Sequence, residues 1–493
     1  MGTIAQRSAL LALCAAAAGF LSPPAAACAD GPPAVIAARP GDGAPLSLRD
    51  CAERAVARND AVHAERLRRR ELDGQMTQAL ATGLPSLDAS GVWTRGRDPS
   101  FALDSTFGGS GDDPDPNATP TFLDTLFAGF DFIPAPEDIP AQTYWRTSLN
   151  LSWTINPVRV LAAVGAAEEA IHSQDLAIED AVYQAELEAV TAYHGIVLAA
   201  GQVEAVEARL ANQREFLDIM RLSRDLEVVT SLDTLQAAVA VANLEPQLRL
   251  ARRGLRTAGA TLNAAMGADP AEPVSIAVEQ TIELDAIAAD RAVDLGDQRP
   301  DLRQLDLLVE LLEQTRRNAT ADMRPFLAVN GSYGLVGRQV DELTDKGHDF
   351  WSASVVLNIP LFNGRLTKGR VDETRAAMLR TRAQREGLGR QVRVHVLDLL
   401  EGLDAARQNL QAAHLNVSRA TELLETSKFM LRLGEVEYLT VLESEAGRAQ
   451  AQTNLIQARH DVLTATASLK RAIGISPMRP LASVPGLTAG EAE

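Results

Sequence analysis

The chain has 493 residues, with 47 Lys and Arg against 65 Asp and Glu, for a formal net charge of −18. That charge argues against nucleic acid as a partner, since no basic surface is large enough to offset phosphate repulsion. Aromatics are only 4% of a composition rich in Ala, Leu, Arg, Glu and Gln, which favours long helices with small interfacial residues over an aromatic core.

Residues 1–29 read as a secretory signal: Arg7 is the positive region, Ser8 to Gly19 the apolar core, and Ala25-Ala26-Ala27 the small-residue cleavage site. Cys28 at that junction would suit a lipid-modified N-terminus, but the preceding alanines lack the usual Leu three residues before such a cysteine. Plain cleavage is the better reading. No later run approaches the ~20 continuous apolar residues of a membrane-spanning helix. An exported chain of this kind crosses a membrane only as β-strands.

Residues 30–267 read as a first repeat. A helix is expected over Leu46 to Thr82, with Ser47 as its cap, Cys51 as a small buried hydrophobe and Arg66 to Arg70 on a solvated face. After Pro85, Leu87, Ala89, Gly91 and Trp93 alternate with Ser86, Asp88 and Ser90, the pattern of a strand with one apolar face. A long loop, 95–142, follows. Its acidic run at Asp112 to Pro116 suits a solvated turn better than a calcium site. Tyr144 to Ile155 alternates again. Asn156 and Pro157 then open a helix as a capping Asn and a proline at the first helical position. That helix runs to about Ser223, with Ile196, Val203, Leu210 and Leu217 at sevenfold spacing. A break at Asp225 to Ser231 precedes a return helix reaching Met266, and 268–298 reads as an irregular connector.

Residues 299–474 repeat the plan. A helix over Asp301 to Asp322 ends before Pro325, and Leu327, Val329, Gly331 and Tyr333 alternate with Ala328, Asn330 and Ser332. The next strand, from Trp351 to Leu361, passes through Asn363-Gly364 into a helix of sixty-odd residues. Val396, Leu403, Leu410, Val417, Leu424 and Leu431 recur every seven along it, with Leu399, Ala406, Ala413 and Ala420 in step: a coiled-coil seam. Gly434 marks the break before a return helix, Leu439 to Ile473, and 475–493 reads as a tail. Trp145 and Trp351 are 206 positions apart. SLDTLQA at Ser231 and YLTVLES at Tyr438 are offset by 207, as are the sequences ending at Gly267 and Gly474. Three anchors whose offsets agree within one residue make an internal duplication.

The fold class expected is mainly α with a smaller β part. Each chain supplies four strands whose apolar faces carry Trp93, Trp145, Tyr333 and Trp351, all expected at one height as an aromatic girdle, with Leu149, Leu151, Val355 and Leu357 facing lipid. Strands in lipid cannot leave edges unpaired. Four are too few to close a barrel, for which about eight is the minimum. The barrel is therefore expected to be shared among subunits, with the long helices projecting into the periplasm as a tube.

Taken with PLFNGR at the strand-to-helix switch, RPDL at Arg299 to Leu302 and LGEVEYLTVLESE at the second helix break, this plan resembles the TolC-like outer-membrane efflux proteins over nearly the whole mature length. The resemblance implies a homotrimer with a twelve-stranded outer-membrane barrel continued by a periplasmic helical tunnel. It also implies a periplasmic adaptor and an inner-membrane pump as partners. By the same resemblance Asp233, Gly434, Thr440 and Glu443 fall at the closing tip of the tunnel. The first-half counterpart of Gly434 is Glu227, and a tyrosine and an arginine that help lock some members shut stand here as Leu431 and Val436. Thr440 and Glu443 are three apart and share a helix face, with Leu439 and Leu442 expected on the adjacent packed face.

The seven histidines are scattered singly, none paired with a Cys or His at ligand spacing, and no nucleophile elbow or phosphate loop is present. No catalytic, metal or cofactor set is therefore expected. A passive export duct fits best; a non-conducting coiled-coil tether is the alternative, and it leaves the tryptophan-bearing strands unexplained.

Overall fold

The computed structural model describes residues 46–96, 141–226, 230–277, 287–340, 343, 347–433, 435–485 and 487. The signal region with Cys28, most of the loop after the first strand, Glu227 and Gly434 lie outside the described residues. One plan is written twice. Helices α1 (Leu48–Arg58) and α2 (Asp60–Ala81) lead to strands β1 (Ser86–Gly96) and β2 (Gln142–Ile155), then to α3 (Pro157–Asp225) and its return α4 (Ser231–Ala265). Helices α5 (Ala289–Gly296) and α6 (Pro300–Ala321) lead likewise to β3 (Phe326–Gly337), β4 (Asp349–Asn358), α7 (Leu366–Leu433) and α8 (Tyr438–Ala472).

Side-chain chemistry sets these boundaries. Ser47 and Asp50 close a capping box: the Asp50 N–H donates to Ser47 Oγ at 3.1 Å and the Ser47 N–H to Asp50 Oδ2 at 3.1 Å. The single helix expected over Leu46 to Thr82 is two helices. Asn59 is extended, and its Oδ1 accepts from the N–H groups of Ala61 (2.8 Å) and Val62 (3.2 Å). An Asn side chain competes for backbone donors in this way, ending one helix by capping the next. Strand β4 stops at Asn358, short of Leu361, ahead of Pro360, which has no N–H to give a ladder.

The four strands form one antiparallel sheet in the order β1-β2-β3-β4. Below it, α3 pairs with α4 and α7 with α8; α6 lies against both α3 and α7, α2 lies on α3, and α8 runs along α3. At about 1.5 Å per residue, the 69 residues of α3 and the 68 of α7 each span roughly 100 Å.

The duplication holds in the core. At an offset of 207, Ala185 and Val392, Ala189 and Val396, Ile196 and Leu403, Leu262 and Leu469, and Met266 and Ile473 are all buried. Gly267 and Gly474 both take left-handed φ, 64° and 74°. The structure also shows order where the sequence reading had a connector and a tail. Helix α5 lies inside 268–298, and its Ala292 is buried as Ala52 is on α1, so it is the second copy of that helix. Beyond α8, Ile475, Leu481, Val484 and Leu487 join the core around Val396 and Leu469. The Ala288 N–H donates to Leu487 O at 2.9 Å, matching Leu46 N–H to Ser275 O at 2.9 Å in the first repeat. Eight residues of α5 cannot bury an apolar face alone, so the segment after α8 covers it.

Candidate functional site

The sheet has one apolar and one polar face, and the register decides which residues share them. Leu151 pairs with Leu87 and Gly331, Trp153 with Val329, and Val329 with Val355. With Leu149, Leu327 and Leu357 they make a continuous apolar face that the other described residues leave uncovered. The opposite face is hydroxyl-rich. Ser86 and Ser152 are 2.7 Å apart, Ser90 and Ser148 2.9 Å, and Ser332 and Ser352 2.8 Å, oxygen to oxygen. Leu149, Leu151, Val355 and Leu357 therefore share the apolar face, with Asn150 and Val356 on the other.

All four expected girdle aromatics lie on the apolar face, in pairs. Trp93 faces Trp145 with ring centroids 6.4 Å apart, and Tyr333 faces Trp351. Trp145 pairs with Gly337, while Tyr333 pairs with Leu149, so the second pair is offset from the first by four residues, about 13 Å along the strands. Closing a barrel requires tilted strands with a staggered register, and the two aromatic pairs are staggered in this way. Trp153, which the sequence reading did not single out, lies at the opposite end of the same face and donates from Nε1 to Gly83 O at 2.9 Å.

Where strands become helices, the side chains form a collar. Asn156 caps α3 through the Arg159 N–H (3.1 Å) with Pro157 next to it, and its Nδ2 donates to Ala321 O at 3.3 Å. At the second switch Gly364 and Arg365 are both left-handed, φ 65° and 69°, and Asn363 donates from Nδ2 to Thr367 Oγ1 at 2.7 Å. Asp322, unremarked in the sequence reading, joins the two: its carboxylate receives Arg159 of α3 at 3.0 Å and Arg370 of α7 at 2.5 Å. The RPDL motif acts at the other end of α6. Arg299 donates to Asp301 through Nε (3.0 Å) and Nη2 (2.8 Å), and through Nη1 to Ala472 O (3.4 Å), tying the end of α8 to the start of α6.

At the far tip the two repeats differ. Asp233 belongs to the α4 cap: the Thr230 N–H (2.9 Å) and hydroxyl (2.7 Å) both donate to Oδ2. Those bonds hold its carboxyl below the usual range. Glu437, the N-cap residue of helix α8, makes no side-chain cap bond, and Thr440 and Glu443 are exposed. Of the packed face expected at Leu439 and Leu442, Leu442 is half-buried within the chain. Leu439 is 53% exposed, whereas Val441 and Ser444 are buried, with Ser444 Oγ 3.0 Å from Ser427 Oγ on α7. Two helices bury the residues on their mutual seam, and that seam runs one step round from the leucines. Leu431 and Val436 are half-buried.

Among the described residues, no helix is long and apolar enough to cross a membrane, and no group of three His, Cys, Asp or Glu is placed to hold a metal ion.

The family model for outer membrane efflux proteins matches residues 51–268 and 293–475. The chain belongs to the outer membrane efflux protein family. That membership places it in the outer membrane. A probable efflux pump outer membrane protein of Pseudomonas putida, TtgC, is 24% identical over 272 residues, 54% of this chain and 56% of that protein. The chain thus spans about half the length of the curated relatives it matches. Among solved structures, a membrane protein from Pseudomonas aeruginosa covers 89% of this chain and 92% of its own, with TM-score 0.71 and 20% identity. The Campylobacter jejuni CmeC outer membrane channel covers 88% and 87%, with TM-score 0.71 and 14% identity.

Proposed function

We propose that this protein is the outer-membrane duct of a multi-part efflux or type I secretion system. It would carry solutes delivered by an inner-membrane pump and a periplasmic adaptor. The observation that carries the reading is the sheet: four strands, apolar on one face and hydroxyl-rich on the other, with both edges β1 and β4 unpaired among the described residues. Such edges are not tolerated in lipid. Three copies joined β4 to β1 close a twelve-stranded barrel, with the apolar face toward lipid and the serine ladders toward a water-filled lumen. The paired aromatics Trp93–Trp145 and Tyr333–Trp351 then lie toward the outer interface and Trp153 toward the inner one. Helices of roughly 100 Å continue the duct into the periplasm, where Asp233, Gly434, Thr440 and Glu443 stand at its mouth. Conduction requires no bond to be made or broken, so the duct needs no catalytic residue or cofactor, and the cargo is chosen by the pump.

Mass measurement in detergent and conductance in a planar bilayer test this together. A trimer that conducts ions is expected. A stable monomer with intact strands would remove the closure argument, and a trimer without conductance would leave the coiled-coil tether as the better account.

A further inference from the structure

On the polar face of the sheet, three strands build one side-chain stack. Phe350 on β4 lies directly opposite Gly334 on β3, and its ring covers that glycine. A Cβ on Gly334 would stand 2.6 Å from Phe350 Cζ and 2.3 Å from Thr147 O, so no other residue leaves the ring in place. Arg146 on β2 pairs with Val336, one diagonal step from Gly334, and its Cζ lies 4.5 Å from the Phe350 ring centroid. The ring holds a planar cation by its face. Among the described residues no carboxylate pairs with Arg146. The nearest acidic residue of the same face on the adjoining strand is Asp88, opposite Asn150, four residues down β2 and about 13 Å away along the strand.

We propose that Arg146, seated on Phe350 over Gly334, is a selectivity residue of the barrel lumen, forming an anion-attracting ring near the outer mouth. The inference rests on the duct reading above, because it needs the closed trimer to bring three copies of the stack round one lumen. The stack distinguishes this arginine from an ordinary surface cation. A free guanidinium on a long stem spreads its charge over many rotamers, whereas one held on a ring keeps it at a fixed height. Three such charges raise the local concentration of anions and repel cations. The ligand class is small anionic solutes bearing phosphate, sulfonate or carboxylate groups, which the planar guanidinium fork can receive in pairs.

The test uses the full-length protein in a planar bilayer, with inorganic tripolyphosphate added to the exterior side. The wild type should be blocked, and Arg146→Gln should need at least about threefold more tripolyphosphate for the same block. Arg146→Lys, which keeps the charge and loses the planar stack, should fall between the two. Phe350→Leu, which leaves the charge and removes only its seat, should weaken the block in the same direction. Equal block in the wild type and Arg146→Gln, both conducting, would overturn the selectivity role and leave the duct reading standing. A wild type that does not conduct would overturn both.

Discussion

Among the described residues, the first repeat builds its core at mid-height from Cys51, Tyr193, Ile196, Leu262 and Met266, while the second uses sixteen buried residues running from Ala292 to Leu487. The backbones correspond at an offset of 207, yet Ala185 and Ala189 on α3 are answered by Val392 and Val396 on α7. The difference follows from what covers each seam. In the second repeat the residues after α8 fold over α5 and bring Leu481, Val484 and Leu487 into the interior. In the first, the described residues after Met266 place the half-buried Val274 and Ile276 against the cluster. A duplicated backbone thus conserves helix seams and glycine turns, while the amount of apolar cover is free to diverge.

The largest expected effect tests that divergence. Leu262→Ala and Leu469→Ala remove the same atom set at matched, fully buried positions. Each deletion should cost about 2–5 kcal/mol, with the larger loss in the second repeat, where more of the surrounding side chains are locked together. Hydrogen exchange read separately for α4 and α8 checks this; equal loosening in both would mean that cluster size does not set the local stability.

The β-hairpins of the two repeats should behave alike where the cores do not. Leu151 and Leu357 occupy corresponding places on the apolar face, one on an inner strand and one on an outer strand. Arginine at either should cost about 2–4 kcal/mol in membrane insertion, while Val356→Arg on the lumen face should insert nearly as well as the wild type. If Leu357→Arg and Val356→Arg insert equally, the faces are assigned the wrong way round.

A third contrast is electrostatic. His194 is buried on α3 with Nδ1 unpartnered and Tyr193 edge-on at 5.5 Å, whereas the corresponding residue on α7 is the exposed Glu401. Burial chiefly, with His460 nearby as a lesser cause, pushes the His194 imidazole down to about 4 from 6.5. Between those values the unfolded chain binds the proton that the folded chain refuses. The stability is therefore intact above pH 6.5 and is lost as pH falls toward 4, by about 2–3 kcal/mol. His194→Gln should flatten the acid limb of melting temperature against pH, and an unchanged limb would place the sensitivity elsewhere.

Strands, long helices and the duplication were legible because each has a periodicity of its own: two along Tyr144 to Ile155, seven along Val396 to Leu431. The Asn156-Pro157 switch was legible because capping is local chemistry. What sequence spacing does not carry is the relation between elements. The four-residue offset between the two aromatic pairs is one such relation, because register is set between strands. Asp322 escaped notice because its two arginines come from helices begun more than 150 residues before it and about 45 after it. Helix α5 was hidden by its shortness, since eight residues give barely two turns of pattern and its cover arrives from the far end of the chain.

The smallest effect in energy concerns the tip, where the repeats place different chemistry at matched positions. Asp233 answers Thr440, and Gln236 answers Glu443. Asp233 spends its carboxylate on the Thr230 N–H and hydroxyl, so it is a helix cap before it is anything else. Glu443 has no such duty: it is exposed, on the face of α8 turned away from the Val441 and Ser444 seam. In the proposed trimer three copies of Glu443 ring the periplasmic mouth, and converging carboxylates attract cations and exclude anions. Glu443→Gln should therefore lower cation preference and weaken block by multivalent cations added from the periplasmic side, with melting unchanged. Asp233→Ala should do the reverse: it removes an N-terminal cap, costing about 1 kcal/mol at the start of α4, with little change in selectivity. If Asp233→Ala alters selectivity and Glu443→Gln does not, the mouth is lined by the first repeat, and the free carboxylate of the second is an ordinary surface charge.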